Sequence, residues 1–167
     1  MDNKKYLFKN HPFEDEIKIA INKTNPTKIA LLPVFTIDGD FNYGDFIINF
    51  EDKNYNFKLP FYYSSQNINE FWKFLESSIT SIEAHILHLY FASVEHFIYI
   101  EKINKYDLRF IIFDTRELIE KQRLGKIIKF SYADMNKNID IIVNQKIFYK
   151  GFYLKLFNFF KSYGKLS

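Results

Sequence analysis

The stretch DFIINFEDKNYNFKLPFYYSSQNINEFWKFLESSITSI (residues 45–82) decides the fold. Asp45–Glu51 and Tyr55–Tyr62 alternate apolar and polar residues, as half-buried strands do, with Asp52, Lys53 and Asn54 as the turn between them. The period then changes. Ile68, Phe71, Trp72, Leu75 and Ile79 fall at i, i+3, i+4, i+7 and i+11, one stripe of a 3.6-residue repeat. Asn67 followed by Glu70 has the form of a capping box at the start of that helix. A hairpin feeding an amphipathic helix predicts a core with Trp72 buried in it.

Working outward, His11-Pro12 followed by Glu14, Asp15 and Glu16 predicts a helix over about residues 12–23, with Phe13, Ile17, Ala20 and Ile21 on one face. A strand through Ile17, Ile19 and Ile21 is the alternative, and Asn25-Pro26 ends either one. Lys28–Ile37 reads as one buried strand whose Pro33 implies an edge or a bulge. After the central helix, Glu83–Phe91, Glu95–Ile103 and Tyr106–Phe113 are separated by short polar turns, as in an antiparallel meander. Asp114-Thr115-Arg116-Glu117 predicts a second capping box and a short helix ending at Gly125. Lys126–Tyr132 and Asn138–Val143 then read as a last strand pair. KIFYKGFYLKLFNFFKSYG closes the chain as an apolar helix, with Gly151 against a single straight course. The expected architecture is one α+β domain over residues 1–167, an antiparallel meander of about six to eight strands with helices packed mainly on one face.

The 167 residues carry a net charge of +3, 20 Phe, 12 Tyr and no cysteine. Disulfide scaffolds and thiolate nucleophiles are thereby excluded. MDNKKYLFKN has no apolar run of signal-peptide length, and no stretch reaches the roughly 18–20 apolar residues of a membrane span, so a cytoplasmic location is expected. Of the four histidines, His85 and His88 stand three apart, but on a strand they face opposite ways, and no metal site is expected. Ser64, Ser65, Ser77 and Ser78 stand in no nucleophile elbow. The pairs Asp38/Asp40 and Glu14/Glu16 suit a turn and a helix start, and five glycines form no phosphate-cradling loop. Catalytic residues and cofactors are therefore expected to be none. Tyr43, Tyr55, Tyr62 and Tyr63, with Lys53, Lys58, Lys102, Lys105 and Lys121, could serve a single-strand binder. Interspersed acids and the lack of any block of like charge argue against that partner and for a mixed-charge surface.

The succession IDGDF, DFIINFEDKNYNFKLPF, NINEFWKFLESSI, a meander and IFYKGFYLKLFNFF, about residues 30–160, resembles small immunity proteins of bacterial polymorphic-toxin systems, those of contact-dependent growth inhibition above all. The resemblance implies a cytosolic protein without enzymatic activity. It would neutralise a cognate toxin C-terminal domain by blocking its active site or its activation. A small positive charge points away from an acidic mimic of nucleic acid. Tight interfaces rest on a few aromatic or arginine anchors. The anchors expected here are Tyr43 in a glycine-flanked loop, Tyr62 and Tyr63 at the hairpin exit, and Arg116 and Arg123 on the short polar helix. At such positions a side chain can be exposed without emptying the core.

Overall fold

A computed structural model describes residues 12–28, 33–39, 43–50, 55–62, 65–77, 84–91 and 93–163, with the backbone alone described over 33–39, 43–50 and 55–62. In chain order the elements are α1 (Glu14–Asn22), β1 (Thr27–Lys28), β2 (Pro33–Gly39), β3 (Tyr43–Phe50), β4 (Tyr55–Tyr62), α2 (Ser65–Ser77), β5 (Ala84–Phe91), β6 (Val94–Lys102), β7 (Asp107–Asp114), α3 (Arg116–Arg123), a 3-10 turn (Tyr132–Asp134), β8 (Asn136–Asn144), α4 (Gln145–Phe148), a π-helical turn (Tyr149–Tyr153) and α5 (Leu154–Tyr163). The fold is α+β, as the sequence predicts.

The strands divide between two sheets rather than forming one. A five-stranded sheet has the order β1-β8-β7-β6-β5, antiparallel except where β1 joins β8 in parallel. A three-stranded antiparallel sheet has the order β2-β3-β4 and pairs Phe46 with Leu59 and Ile48 with Phe57. The single strand expected over Lys28–Ile37 is thus two strands in different sheets, and Pro33 opens an edge strand, where its missing N–H costs no ladder bond. β2 lies against the C-terminal helix, and β4 lies against β5.

Alternation along β5–β8 sends side chains to both faces of the larger sheet. On one face Leu87, Leu89, Ile98, Ile100, Phe110 and Ile112 meet Ile68 and Phe71 of α2 and Phe148, Phe152 and Tyr153 of the C-terminal helix. The other face is covered as well. There Ile86, Phe97, Tyr99, Ile111 and Phe113 meet Ile17, Ala20 and Ile21 of α1, Leu118 of α3, and Tyr132 and Met135. Most of the helix still lies on the first face. A central strand clothed on both sides reads as a continuous apolar run, which is the pattern of FII in β7.

Asn67 and Glu70 do not form the predicted capping box, because α2 begins earlier, at Ser65. Asn67 is wholly buried, and its side-chain amide pairs with Tyr90 of the edge strand β5, donating to the Tyr90 carbonyl at 2.7 Å and accepting from its N–H at 2.9 Å. One asparagine thereby substitutes for a neighbouring strand and closes part of an edge that could otherwise pair with another chain. Trp72 is half-buried rather than buried: it packs on the core edge-on to Phe157, centroids 6.2 Å apart, while Phe71 takes the fully buried position.

Lys126–Tyr132 is not a strand. β8 pairs with β7 along its length and with β1 only at Ile141 and Ile142, and the segment before it packs Ile127 and Phe130 onto the second core instead of joining the sheet. The predicted C-terminal helix does form. Gly151 sits in the π-helical turn between α4 and α5, where a bulge absorbs the irregularity.

α1 carries three acids in its first turn and no base in its last. Its C-terminal carbonyls are met instead by cations from the sheet. Arg109 Nη2 and Lys137 Nζ donate to the Ile21 carbonyl at 2.9 and 2.6 Å, and both also reach the Thr24 carbonyl. Asp140 holds the two cations, at 2.8 Å from Arg109 and 3.0 Å from Lys137. Burial pushes the Asp140 pKa up, but hydrogen bonds from Arg109 and Lys137 more than reverse this and leave it below its ordinary value.

Candidate functional site

The residues singled out in the sequence separate into two groups in space. Tyr43 and Tyr62 are brought together as direct cross-strand partners at one end of the β3–β4 pair. Tyr63 lies outside the described residues. Arg116 and Arg123 stand on α3, at the opposite ends of its eight residues. Seven residues is two helical turns, so the two arginines share a face about 10 Å apart along the axis.

Local contacts fix where α3 points. Thr115 occupies the N-cap position, but its hydroxyl makes no capping bond. It accepts from the Glu95 N–H at 3.0 Å and so ties the helix entry to β6. Asp114 accepts the Arg116 N–H at 3.0 Å and pairs with its Nε at 3.5 Å. Leu118 is the buried anchor. At the far end Gly125 adopts φ 72°, the left-handed region. Its N–H donates to Gln122 at 3.1 Å and the Lys126 N–H donates to Lys121 at 2.8 Å, the paired bonds of a Schellman motif.

Beyond Gly125 the chain runs as an exposed loop in place of the expected strand. Ile127 and Phe130 pack back onto the core cluster beneath α1 and α3. Between them Ile128 is 97% exposed, and Leu124 before the loop is 51% exposed. The loop is fastened again at its exit, where Glu16 of α1 accepts the Tyr132 N–H at 2.7 Å. The Tyr132 hydroxyl donates to one Glu95 oxygen at 2.7 Å, and the other Glu95 oxygen lies 2.8 Å from His88 Nε2. His88 is itself stacked between Tyr90 and Phe97, at 4.6 and 4.2 Å. Burial, then the bond to Glu95, pushes the Tyr132 pKa up. A phenol made harder to ionise suits an anchor better than a proton carrier.

The charges around the loop are unevenly matched. Arg123 pairs with Glu120 (Nε to Oε2 3.0 Å) and Lys121 with Glu117 at 3.0 Å. The hydrogen bond from Arg123 lowers the Glu120 pKa, and the same pair raises that of Arg123. Lys126 and Lys129 are exposed and have no ion-pair partner among the described residues. The result is two apolar anchors, Leu124 and Ile128, set among basic side chains on a loop held at both ends. Sequence reasoning placed the two arginines on a short exposed helix, where they are, and missed the loop. KIIKF is rich enough in isoleucine and phenylalanine to pass for a strand, and only the Schellman glycine before it signals that the chain has turned outward.

A groove of about 440 Å³ lies beside the α1 C-terminus, lined in part by Lys23, Thr24, Asn25, Lys137 and Asp140. Its charges already answer one another, Lys23 with Asp134 at 3.1 Å and Lys137 with Asp140. Among the described residues no group of three or more His, Asp or Glu side chains is placed to hold a metal ion. Among the same residues no helix is long and apolar enough to cross a membrane. No protein-family model matches the chain, and no curated protein or solved structure matches it.

Proposed function

We propose that the protein is a binding protein that neutralises a cognate toxin C-terminal domain in the cytosol, using α3 and the loop after it as its principal contact surface. The observation that carries this reading is Ile128, 97% exposed on a loop pinned by Ile127 and Phe130. An apolar side chain held outward by buried neighbours gains nothing for its own fold. It is suited to fill a recess in a partner, and the anchoring keeps the ordering cost of binding small. Arg116 and Arg123 on one face of α3, with Lys126 and Lys129, supply the polar ring that such an anchor requires. The Tyr43–Tyr62 pair, with Tyr63, is the second candidate patch.

The test is co-expression with the toxin domain encoded beside the gene, read as protection of the cell and as co-purification of the two proteins. Ile128→Asp should abolish both while the melting temperature of the free protein stays within about 2 °C of wild type, since an exposed substitution changes stability little. Full protection by Ile128→Asp, Arg116→Ala and Arg123→Ala together would remove α3 as the interface. Failure of the wild-type protein to bind that toxin domain would remove the reading altogether.

A further inference from the structure

We propose that the β6–β7 turn and the first turns of the C-terminal helix form a surface for single-stranded nucleic acid, separate from the surface on α3 and independent of the toxin-binding reading. Two hydrogen bonds fasten these segments together: the Gln145 N–H donates to the Tyr106 carbonyl and Gln145 Nε2 to the Asn104 carbonyl, each at 2.8 Å. Asn104 Oδ1 braces the turn from within, accepting from the N–H groups of Tyr106 and Asp107 at 2.8 and 2.9 Å. Tyr149 follows Gln145 by one helical turn, about 6 Å along the axis.

This fastened unit displays two exposed aromatic rings, Tyr106 at 61% and Tyr149 at 50%. It also displays four exposed lysines, Lys102, Lys105, Lys146 and Lys150. None of the four has an ion-pair partner among the described residues. Two carboxylates stand on the same strands beside the turn, Asp107 bonded to Asn104 Nδ2 at 3.4 Å and Glu101 to the Tyr99 hydroxyl at 2.9 Å, and the four lysines outnumber them. Tyr149 lies nearly flat on the buried Tyr153, centroids 5.0 Å apart and planes 12° apart, so one ring face is covered and supported. Lys105 Nζ stands 4.9 Å from the centre of the Tyr106 ring and couples the positive charge to the second aromatic.

A single-stranded polynucleotide answers both features at once. Its backbone brings one anion per nucleotide to the lysines, and each base brings a flat face to the tyrosines. An acidic protein surface would answer the charge and leave the flat, half-exposed ring without a matching face.

The probe is a fluorescein-labelled oligo-dT or oligo-rU of about 15 nucleotides, long enough for one such site, read by anisotropy against the full-length protein. With up to four phosphates neutralised, raising salt from about 50 to 200 mM should weaken binding about 50-fold. Tyr149→Ala should weaken it between about fivefold and a hundredfold, the range of one lost base stack. Lys146→Ala with Lys150→Ala should flatten the logarithmic salt slope by about 1.4, whereas Lys126→Ala with Lys129→Ala on the α3 loop should leave it unchanged. Absence of binding at the lowest salt would overturn the proposal. So would equal affinity for polyglutamate or for phosphatidylserine vesicles, or an undiminished affinity in Tyr149→Ala. None of these outcomes touches the toxin-binding test, which reads different residues.

Discussion

Mild acid should destabilise this protein through two histidines that the fold keeps neutral. His96 on β6 is wholly buried, and neither ring nitrogen has a hydrogen-bond partner among the described residues. Its cross-strand neighbour Asp114 stands 3.9 Å away. That carboxylate is already taken up by Asn138 Nδ2 at 2.7 Å and by the N–H and Nε of Arg116. Burial lowers the His96 pKa from 6.5 to about 4, Asp114 opposing the shift and Arg116 adding to it. His85 on β5 is lowered to about 3, by burial and then by Lys73 of α2.

A depressed histidine pKa fixes the sign. Above pH 6.5 the imidazole is neutral in both folded and unfolded chains and contributes no pH dependence. Below it the unfolded chain takes up protons that the fold refuses, so stability falls as pH falls, by about 1.4 kcal/mol per pH unit for each histidine. For His96 the loss runs down to about pH 4, where the folded state also protonates, and for His85 to about pH 3. Between about pH 7 and 5 each site should remove roughly 2 kcal/mol, together a sizeable part of a stability of about 5–15 kcal/mol. Urea unfolding at half-unit pH steps measures this directly. His96→Leu removes one titrating site and one buried unpaired polar group, so it should match or exceed wild type at pH 7 and show about half its slope between pH 6.5 and 5. Depressed carboxylates such as Asp140 titrate lower and do not enter that window. A His96→Leu protein with the full wild-type slope would refute the reasoning.

Phe71→Ala should cost about 3–5 kcal/mol by equilibrium unfolding, whereas Trp72→Phe should stay within about 1 kcal/mol, because the buried indole N–H has no hydrogen-bond partner among the described residues. Asn67→Leu should cost about 1–3 kcal/mol for the unpaired Tyr90 backbone groups and promote concentration-dependent association at the bared β5 edge, measured by sedimentation. Asp140→Ala should cost about 3–5 kcal/mol, since Arg109 and Lys137 are left as uncompensated, largely buried cations, and its effect should fade in acid as the wild-type carboxylate protonates. Gly125→Ala meets no neighbour within 4 Å, so its cost of about 1–2 kcal/mol should be backbone strain alone and should appear as a lower melting temperature.

What the sequence by itself determined is the part governed by local periodicity. The strands of the meander, the amphipathic α2, the acid-led α1 and the Gly125 stop all follow from spacing two, spacing 3.6 and the left-handed freedom of glycine. The exposed positions of Arg116 and Arg123 were legible for the same reason, since a short helix with one buried leucine must show the rest to water. Tertiary structure decided the remainder, because those outcomes depend on which groups find partners far along the chain. Asn67 and Glu70 have the form of a cap, but the unpaired edge of β5 is the stronger claim on Asn67. KIIKF has the form of a strand, yet Ile127 and Phe130 pack onto a core built by α1, α3 and the sheet, so the segment stays a loop and Ile128 stays outside. Lys102 and Lys105 lie about forty residues before Lys146 and Lys150, and no run of like charge announces them. They become one surface only because Gln145 bonds to Tyr106 and Asn104, a contact between distant segments that no local spacing encodes.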